Sequence, residues 1–270
     1  MSTQFITVEG AHWYPSPTLP GVFYPSVTTV LSIFPKGKHF EKYLANHDSY
    51  ESSQEVLKAA GERGTRVHKA TELLEDGNTL SKENYTLEEW GMIQGFVNWW
   101  NEYKPKLIKS EYPISSDTYK TGCTIDRVYI INDRLLGEFR CIIDWKTSNA
   151  IHDNYWIQVA ANKKLWEEKH PDQPIDYVGI VQLSNRTKKK YKYELKDASI
   201  ESEEDFEMFK TTQALWHYIN PKAKPKTIDV PDTLQLEVVT DEEWERITLE
   251  KRMAEADDVD RDLAEFKLDL

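Results

Sequence analysis

The sequence predicts an α/β fold in which a mixed central β-sheet is flanked by helices. Two observations lead to this prediction. Segments with the apolar period of a helix alternate with segments rich in Ile, Val, Tyr and Thr, which favour strands. The predicted elements run in the order helices, three-stranded meander, helix, strand pair and helices. This order favours an α/β sandwich over a Rossmann fold, in which strands and helices alternate one by one.

The N-terminal part is predicted to be helical after a short arm. The first 25 residues contain four prolines and have the composition of an extended arm. Ser26 then precedes an apolar run, and it is the expected N-cap of a first helical turn over residues 27–31. Helical periodicity returns over about residues 54–74 and 87–103.

From about residue 107 the chain is predicted to form strands. Turn residues divide this region into three antiparallel strands, near 107–115, 118–131 and 135–146. The elements that follow are a helix over 154–170, strands over 175–183 and 190–195, and a helix over 201–218. We expect one domain over residues 1–240, with a helical N-terminal insertion (about 26–103) and a core (about 104–218), and then an acidic C-terminal helix or tail over 241–270.

The charge of the chain is uneven, and this matters for its partners. The protein has 34 basic and 46 acidic residues and a formal net charge of −12. A uniformly acidic surface would repel nucleic acid. Residues 241–270, however, contain 12 acidic and 5 basic residues, so they account for −7 of the charge and residues 1–240 for −5. The charge therefore does not exclude a nucleic-acid substrate.

Composition excludes several other classes of protein. The two cysteines, Cys123 and Cys141, are too few for a disulfide framework, a Cys₄ zinc site or a cysteine-bound iron–sulfur cluster. No apolar run approaches the roughly 18 residues of a membrane span. The first basic residue is Lys36, so we expect neither a secretory signal nor a transit peptide. These features predict a cytoplasmic protein without a membrane partner.

Two aspartates and a lysine fall on adjacent predicted strands. Asp144 and Lys146 are two residues apart on a strand and share a face. An isolated Asp-x-Lys is most simply a buried salt bridge. The hairpin between the second and third strands, however, brings Asp126 towards Asp144, and two carboxylates at one place repel unless a cation separates them. Hard oxygen ligands of this kind suit Mg²⁺ or Mn²⁺.

These residues belong to a set of motifs that resembles the PD-(D/E)XK nuclease superfamily, most closely its RecB-type branch of stand-alone phage and bacterial exonucleases. Five elements occur in the family's order: Pro25–Leu31 (P-S-V-T-x-V-L), Gly64–His68 (G-x-x-x-H), Gly122–Asp126 (G-x-x-x-D), Asp144–Thr147 (D-x-K-T) and Gln158 (Q-x-x-x-Y). Each motif is weak by itself, and the order of all five carries the resemblance. One position departs from the pattern, because Asn162 stands where the family has tyrosine.

The resemblance implies a restriction-endonuclease-like core and a deoxyribonuclease that uses one or two Mg²⁺ or Mn²⁺ ions and no iron–sulfur cluster. The implied catalytic residues are Asp126, Asp144, Lys146 and Gln158. The implied metal ligands are His68, Asp126, Asp144 and the carbonyl of Trp145, and Glu111 would assist a second metal. Taken singly, His68 fits a surface histidine beside Glu72 better than a metal ligand, and Glu111 fits a strand carboxylate that faces water better than a ligand. The alternative for Gln158 is a glutamine on the helix surface.

Several further residues are candidates for contacts with DNA. They are Ser26, Thr28, Arg66, Arg127, Thr147, Lys188, Lys190 and Tyr191, with Arg63 and Lys69 close in sequence to the proposed site. The run 186–193 has five basic residues in eight, with two interleaved tyrosines that can stack on unpaired bases. It fits a solvated hairpin tip equally well.

The resulting hypothesis is an exonuclease that acts on single-stranded or duplex DNA ends in phage or bacterial recombination, repair or degradation, with a recombination or replication protein as a further partner. Two alternatives stay open. One is a catalytically silent DNA-binding or protein-interaction module on the same fold, and the other is an endonuclease with the same chemistry. Polarity, strand preference and oligomeric state are not readable from the sequence.

Overall fold

The computed structural model describes residues 5–8, 10–35, 37, 49–184, 187–225, 235–236 and 239–253. The chain divides into a compact unit of residues 1–226 and a second unit of residues 227–270. In the second unit, residues 241–253 are helical, and the rest of the predicted acidic segment, 254–270, lies outside the described residues. Among the helices that the structure describes, none combines the length and the apolarity needed to cross a bilayer.

In the part of residues 1–226 that the structure describes, there are eight strands and five α-helices. The strands are β1 (Ile6–Val8), β2 (Ala11–Pro15), β3 (Phe23–Pro25), β4 (Lys106–Ser116), β5 (Thr121–Asp133), β6 (Gly137–Lys146), β7 (Tyr177–Leu183) and β8 (Tyr191–Asp197). The helices are α1 (Val27–Val30), α2 (Tyr50–Glu75), α3 (Leu87–Tyr103), α4 (Asp153–Lys169) and α5 (Glu201–Ile219). Short 3₁₀ turns lie at Leu31–Ile33 and Lys82–Asn84.

The central sheet is mixed, as predicted. Its strand order is β4-β5-β6-β7-β8. β6 and β7 are parallel, and the other neighbours are antiparallel. A parallel pair needs a long crossover connection, which here contains α4. The carboxyl ends of β6 and β7 therefore lie at the same edge of the sheet.

Two apolar clusters cover the two faces of this sheet. One joins the sheet to α1, α4 and α5, with Trp156, Val159 and Phe209 among its buried members. The other joins the sheet to α2 and α3, with Val67 and Trp99 fully buried. The result is a three-layer arrangement in which a five-stranded mixed sheet lies between helices. It confirms the predicted mixed sheet flanked by helices.

The predicted N-terminal arm requires a correction. Residues 5–25 do not run as an isolated extended segment, because β1, β2 and β3 pair into an antiparallel sheet in that order. Pro15 and Pro25 fall at strand ends, where a missing N–H costs no ladder hydrogen bond, and Pro17 and Pro20 lie in the connection between β2 and β3. Prolines at strand ends and in turns fit a small sheet as well as they fit an arm.

Side-chain caps define where the helices begin. The Ser26 hydroxyl accepts a hydrogen bond of 2.9 Å from the Thr29 N–H, which confirms the predicted N-cap of α1. Thr86 and Glu89 form a capping box at the start of α3. The Ser49 hydroxyl accepts a hydrogen bond of 3.1 Å from the Ser52 N–H at the start of α2, so this helix begins four residues before the predicted start.

Candidate metal centre

A cavity opens at the carboxyl end of β6, where the two helical layers meet the sheet. Its volume is about 260 Å³. It is lined by Ala60, Arg63, His68, Asp126, Asp144, Trp145, Lys146, Thr147, Ser148, Tyr155 and Gln158. Most of these are predicted site residues, which come from α2, β5, β6 and α4. The structure thus brings together residues that the sequence linked by motif alone.

Asp144, Lys146 and Gln158 form a closed set of contacts. Lys146 Nζ lies 2.6 Å from Asp144 Oδ2 and donates a hydrogen bond of 3.1 Å to Gln158 Oε1. Gln158 Nε2 donates in turn to Asp144 Oδ1 at 3.2 Å. Because one amide contacts both members of the ion pair, it fixes the direction of each side chain.

Burial and charge act against each other in this ion pair. Burial raises the pKa of the Asp144 carboxyl to about 6, although the Lys146 ammonium opposes this rise and the Asp126 charge adds to it. Burial lowers the pKa of Lys146, but the charges of Asp144 and Asp126 outweigh it, so this pKa is raised. Lys146 is therefore a cation at neutral pH, and its position beside Asp144 is held by charge.

His68 lies between a carbonyl group and a carboxylate. Its Nε2 is 3.0 Å from the carbonyl oxygen of Trp145, and its Nδ1 is 3.7 Å from Asp126 Oδ2. A carbonyl oxygen accepts and does not donate, so Nε2 carries the hydrogen and Nδ1 of the neutral ring presents a lone pair to the carboxylate. Two acceptors that face each other favour a metal ion between them. This geometry supports a cation site between His68 and Asp126.

Asp126 is held in place by the neighbouring strand. The backbone N–H of Trp145 donates to Asp126 Oδ2 at 3.1 Å. The register of β5 and β6 pairs Arg127 with Ile143, which places Asp126 beside Asp144 at the next step. The sequence predicted this proximity without its register, and the structure supplies the register.

Two glycines of the motifs allow elements to approach one another. A Cβ on Gly64 would lie 3.2 Å from Thr147 Oγ1, so α2 passes close to the end of β6 one turn before His68. A Cβ on Gly122 would lie 2.4 Å from Tyr14 Cβ and Cγ, so β5 has room for β2 at this position. The small residues are needed for close contact, since no positive φ is recorded at either.

Glu111 forms a three-residue cluster with His68 and Asp126. One ligand atom from each residue lies within 4.8 Å of the other two. Glu111 is on β4, across from Asp126 in the register of β4 and β5, and its φ is 43°, in the left-handed region. A non-glycine residue in this region is strained, and such strain persists where the surroundings fix the conformation.

Arg127 holds Glu111 and is not available to DNA, which corrects the predicted phosphate contact. Its side chain is fully buried, with Nε 2.5 Å from Glu75 Oε2 and Nη1 2.8 Å from Glu111 Oε1. A phosphate cannot reach a guanidinium that is enclosed and paired with two carboxylates. Burial and the Asp126 charge raise the pKa of Glu111, and Arg127 opposes that rise.

The cluster is suited to a divalent metal ion. Two carboxylates and an imidazole supply oxygen and nitrogen donors, and carboxylates suit Mg²⁺ or Mn²⁺. Donors about 2.1 Å from Mg²⁺ lie at most about 4.2 Å apart, so ligand atoms that lie within 4.8 Å of one another need to close by no more than about 0.6 Å. Asp144 and the carbonyl of Trp145 lie beside Asp126 and could complete the shell. Arg127 would act behind Glu111, as an outer hydrogen-bonding partner that orients a ligand.

The structure distributes the other predicted DNA contacts over several surfaces. Thr147 lines the cavity, and Thr28 is exposed on α1. Arg66 donates to Glu89 Oε2 at 2.5 Å, and it is not one of the residues that line the cavity in the described part of the chain. Ser26 is 3% exposed and its hydroxyl caps α1, so its expected contact with DNA is wrong.

The predicted basic hairpin tip lies against α3. Tyr191 is 6% exposed and its hydroxyl donates to Glu102, so it cannot stack on a base, which corrects its predicted role. Lys190 donates to Gln94 Oε1 at 2.5 Å, and Lys188 is exposed. Arg186, at the start of the run, lies outside the described residues.

Tyr155 is a cavity residue that the sequence prediction missed. Lys146 Nζ lies 4.6 Å from the centroid of its ring, within the range of a cation–π contact. Tyr155 is three residues before Gln158, about one helical turn, so the same face of α4 carries both. This spacing from Gln158 is the sequence signal that could have identified Tyr155 as a site residue. Asn162, which replaces the family's tyrosine, is 1% exposed and does not line the cavity within the described part of the chain.

Comparison with known proteins adds no family assignment: no protein-family model matches the chain, and no curated protein matches it.

Proposed function

We propose that this protein is a metal-dependent deoxyribonuclease of the RecB type within the PD-(D/E)XK superfamily, with a restriction-endonuclease-like core. The observation that supports the proposal best is the meeting of His68, Asp126, Asp144, Lys146 and Gln158 at one cavity. They come from a helix, two adjacent strands and the following helix, in the order that the sequence resemblance assigns. A mixed sheet between two helical layers is compatible with such a core.

The proposed ligands of Mg²⁺ or Mn²⁺ are His68, Glu111, Asp126, Asp144 and the carbonyl of Trp145. When bound, the ion would supply charge neutralisation for the phosphate and a lowered pKa for an attacking water. The residues of the chain place these ligands. Trp145 N–H holds Asp126, and Arg127 holds Glu111.

Lys146 is the proposed catalytic cation. Asp144, Gln158 and the ring of Tyr155 hold its ammonium group in one place. From this position it would orient the attacking water and donate to a phosphate oxygen as negative charge develops. The proposed products carry a 5′-phosphate and a 3′-hydroxyl, as the resemblance implies.

A digestion experiment with labelled DNA tests this proposal. Linear single-stranded and duplex DNA is incubated with Mg²⁺, with Mn²⁺ or with EDTA. Cleavage that requires metal is expected, and Lys146→Ala should lower the rate at least about 100-fold while circular dichroism shows an unchanged fold. Cleavage in EDTA, or full activity of the variant, would contradict the assignment. Binding without cleavage in either metal would favour a silent DNA-binding module.

The exonuclease part of the proposal has its own test. A closed circular single strand offers no end, so an exonuclease leaves it intact and an endonuclease opens it. We expect circles to survive while linear strands of the same sequence shorten from one labelled end. Loss of circles at a comparable rate would assign the endonuclease alternative instead.

A further inference from the structure

Arg63 lines the cavity, and one of the hydrogen-bond donors of its guanidinium has no partner. Its Nε is buried and has no hydrogen-bond partner, while Nη1 lies 3.3 Å from Glu88 Oε2. The Arg63 side chain is 26% exposed and the Glu88 side chain 53% exposed. An ion pair that is long and partly solvated contributes little, and a buried donor without an acceptor is unfavourable. The guanidinium would gain from an anionic acceptor.

Arg66, one turn further along α2, shows the contrast. Its Nη2 donates at 2.5 Å to Glu89, whose side chain is 4% exposed and belongs to the capping box of α3. Lys69 similarly pairs with Glu72 at 2.7 Å. Among the described basic residues of α2 near His68, Arg63 lines the cavity and the other two do not.

The charges of the cavity favour an anion once metal is present. Its lining contains two carboxylates, Asp126 and Asp144, and two cations, Arg63 and Lys146. These four charges cancel. Glu111, a proposed metal ligand beside this lining, adds one negative charge, so a bound divalent ion still leaves the site with a net positive charge. A cleft that carries charge of one sign between low-dielectric walls attracts ligands of the opposite charge.

We propose that Arg63 is a phosphate-binding residue of this cavity, and that it takes a backbone phosphate next to the one at the metal. The inference rests on the proposed nuclease function and specifies how that site holds its strand. Arg63 is five residues before His68, which corresponds to about 7.5 Å along α2. That offset suits a neighbouring phosphate of the same strand. Because Nε is buried, the guanidinium would donate to phosphate oxygens from its terminal Nη groups.

The test compares Arg63→Gln with Lys58→Gln. Lys58 is on the same helix, its side chain is 79% exposed, and its contact with Glu62 is 4.0 Å long, so the control removes the same charge from outside the cavity. Binding of a fluorescent single-stranded oligonucleotide is measured with Ca²⁺ in place of Mg²⁺, over a series of salt concentrations. Cleavage is measured separately with Mg²⁺ at saturating DNA.

We expect Arg63→Gln to raise the Kd and the KM about tenfold and to reduce the salt slope of log Kd by about one unit, as for the loss of one phosphate contact. The kcat should change less than about threefold, and the Kd for Mn²⁺ alone should not change. Arg63→Lys should recover only part of the affinity. It keeps the positive charge but lacks the planar guanidinium, which can donate to two phosphate oxygens at once. Lys58→Gln should behave as wild type.

Three results would overturn the inference. They are an unchanged DNA affinity and salt slope in Arg63→Gln, an equal effect of Lys58→Gln, or a loss of Mn²⁺ affinity in Arg63→Gln that marks a structural role. Each of these can occur while the wild-type protein still cleaves DNA, so it leaves the proposed function intact. Absence of both binding and cleavage in the wild type would instead remove the proposed function, and this inference with it.

Discussion

Asp144 is a carboxyl that folding buries beside two other charges. Its pKa is 3.8 in an unfolded chain and about 6 in the folded, metal-free protein. Between these values the unfolded state has lost a proton that the folded state keeps. The free energy of unfolding should therefore fall as pH rises from about 4 to about 6, by at most roughly 1.4 kcal/mol per pH unit from this group.

Urea unfolding in EDTA at several pH values, for wild type and Asp144→Asn, measures this contribution. The difference between the two proteins isolates Asp144 from other carboxyls, such as Glu111, whose pKa is also raised. The variant should lose the pH dependence that belongs to Asp144. Parallel pH profiles for the two proteins would show that Asp144 does not titrate in this window.

Tyr155 offers a second prediction at the scale of single residues. Its ring faces the ammonium of Lys146 at 4.6 Å, a contact worth about 0.5–2 kcal/mol. Tyr155→Phe keeps the ring and should keep the kcat within about twofold, while Tyr155→Leu should lower it about five- to tenfold. Single-turnover cleavage at saturating DNA measures both. If Phe and Leu are equally damaging, the hydroxyl and not the ring is the important group.

At the scale of elements, close approach between α3 and the β7–β8 hairpin depends on one glycine. A Cβ on Gly95 would lie 2.2 Å from the carbonyl oxygen of Lys190, a backbone atom. Gly95→Ala should therefore destabilise the protein by about 1–3 kcal/mol despite the better helix propensity of alanine. The control is Gly61→Ala in α2, where nothing lies within 4 Å. It should stabilise by about 0.5–1 kcal/mol.

Chemical denaturation of both glycine variants gives the two free energies directly. A neutral or stabilising Gly95→Ala would mean that the hairpin moves away from α3 without cost. Such movement would also free Lys190 and Tyr191, which contact Gln94 and Glu102 on α3.

Local sequence signals predicted most elements and missed those that depend on distant pairing. The helix predicted over 87–103 is α3, since its apolar period and its Thr86 cap are both local. The pairing of β1, β2 and β3 was not predicted, because their proline-rich sequence fits an arm as well as a sheet. The candidate site shows the same division. The shared face of Asp144 and Lys146 followed from the period of a strand, which is a local signal. The burial of Arg127 and the position of Tyr155 depend on how the helices pack against the sheet.

At the scale of the whole molecule, charge is divided between the two units. Residues 227–270 contain 15 of the 46 acidic residues and 5 of the 34 basic ones, which leaves a net charge of −2 on residues 1–226. A chain that ends at residue 226 should bind DNA several-fold more tightly at low salt, because the acidic unit no longer repels phosphate. The advantage should shrink at high salt, where charges are screened.

Fluorescence anisotropy with a labelled oligonucleotide measures this effect. The titrations are made at about 50 mM salt, where the screening length is long, and at about 500 mM salt, where it is short. Circular dichroism checks that the shortened chain is folded. Equal affinities at low salt would show that the charge of residues 227–270 does not reach the bound DNA.

The two free cysteines lie in different layers of the core. Cys123 belongs to the cluster with α1, α4 and α5, and Cys141 to the cluster with α2 and α3. Burial raises the pKa of both thiols, so neither reacts in the closed state. Alkylation of each thiol under native conditions therefore times the opening of its own layer. The two native thiols therefore report separately on local opening at the two faces of the sheet, and no engineered label is needed.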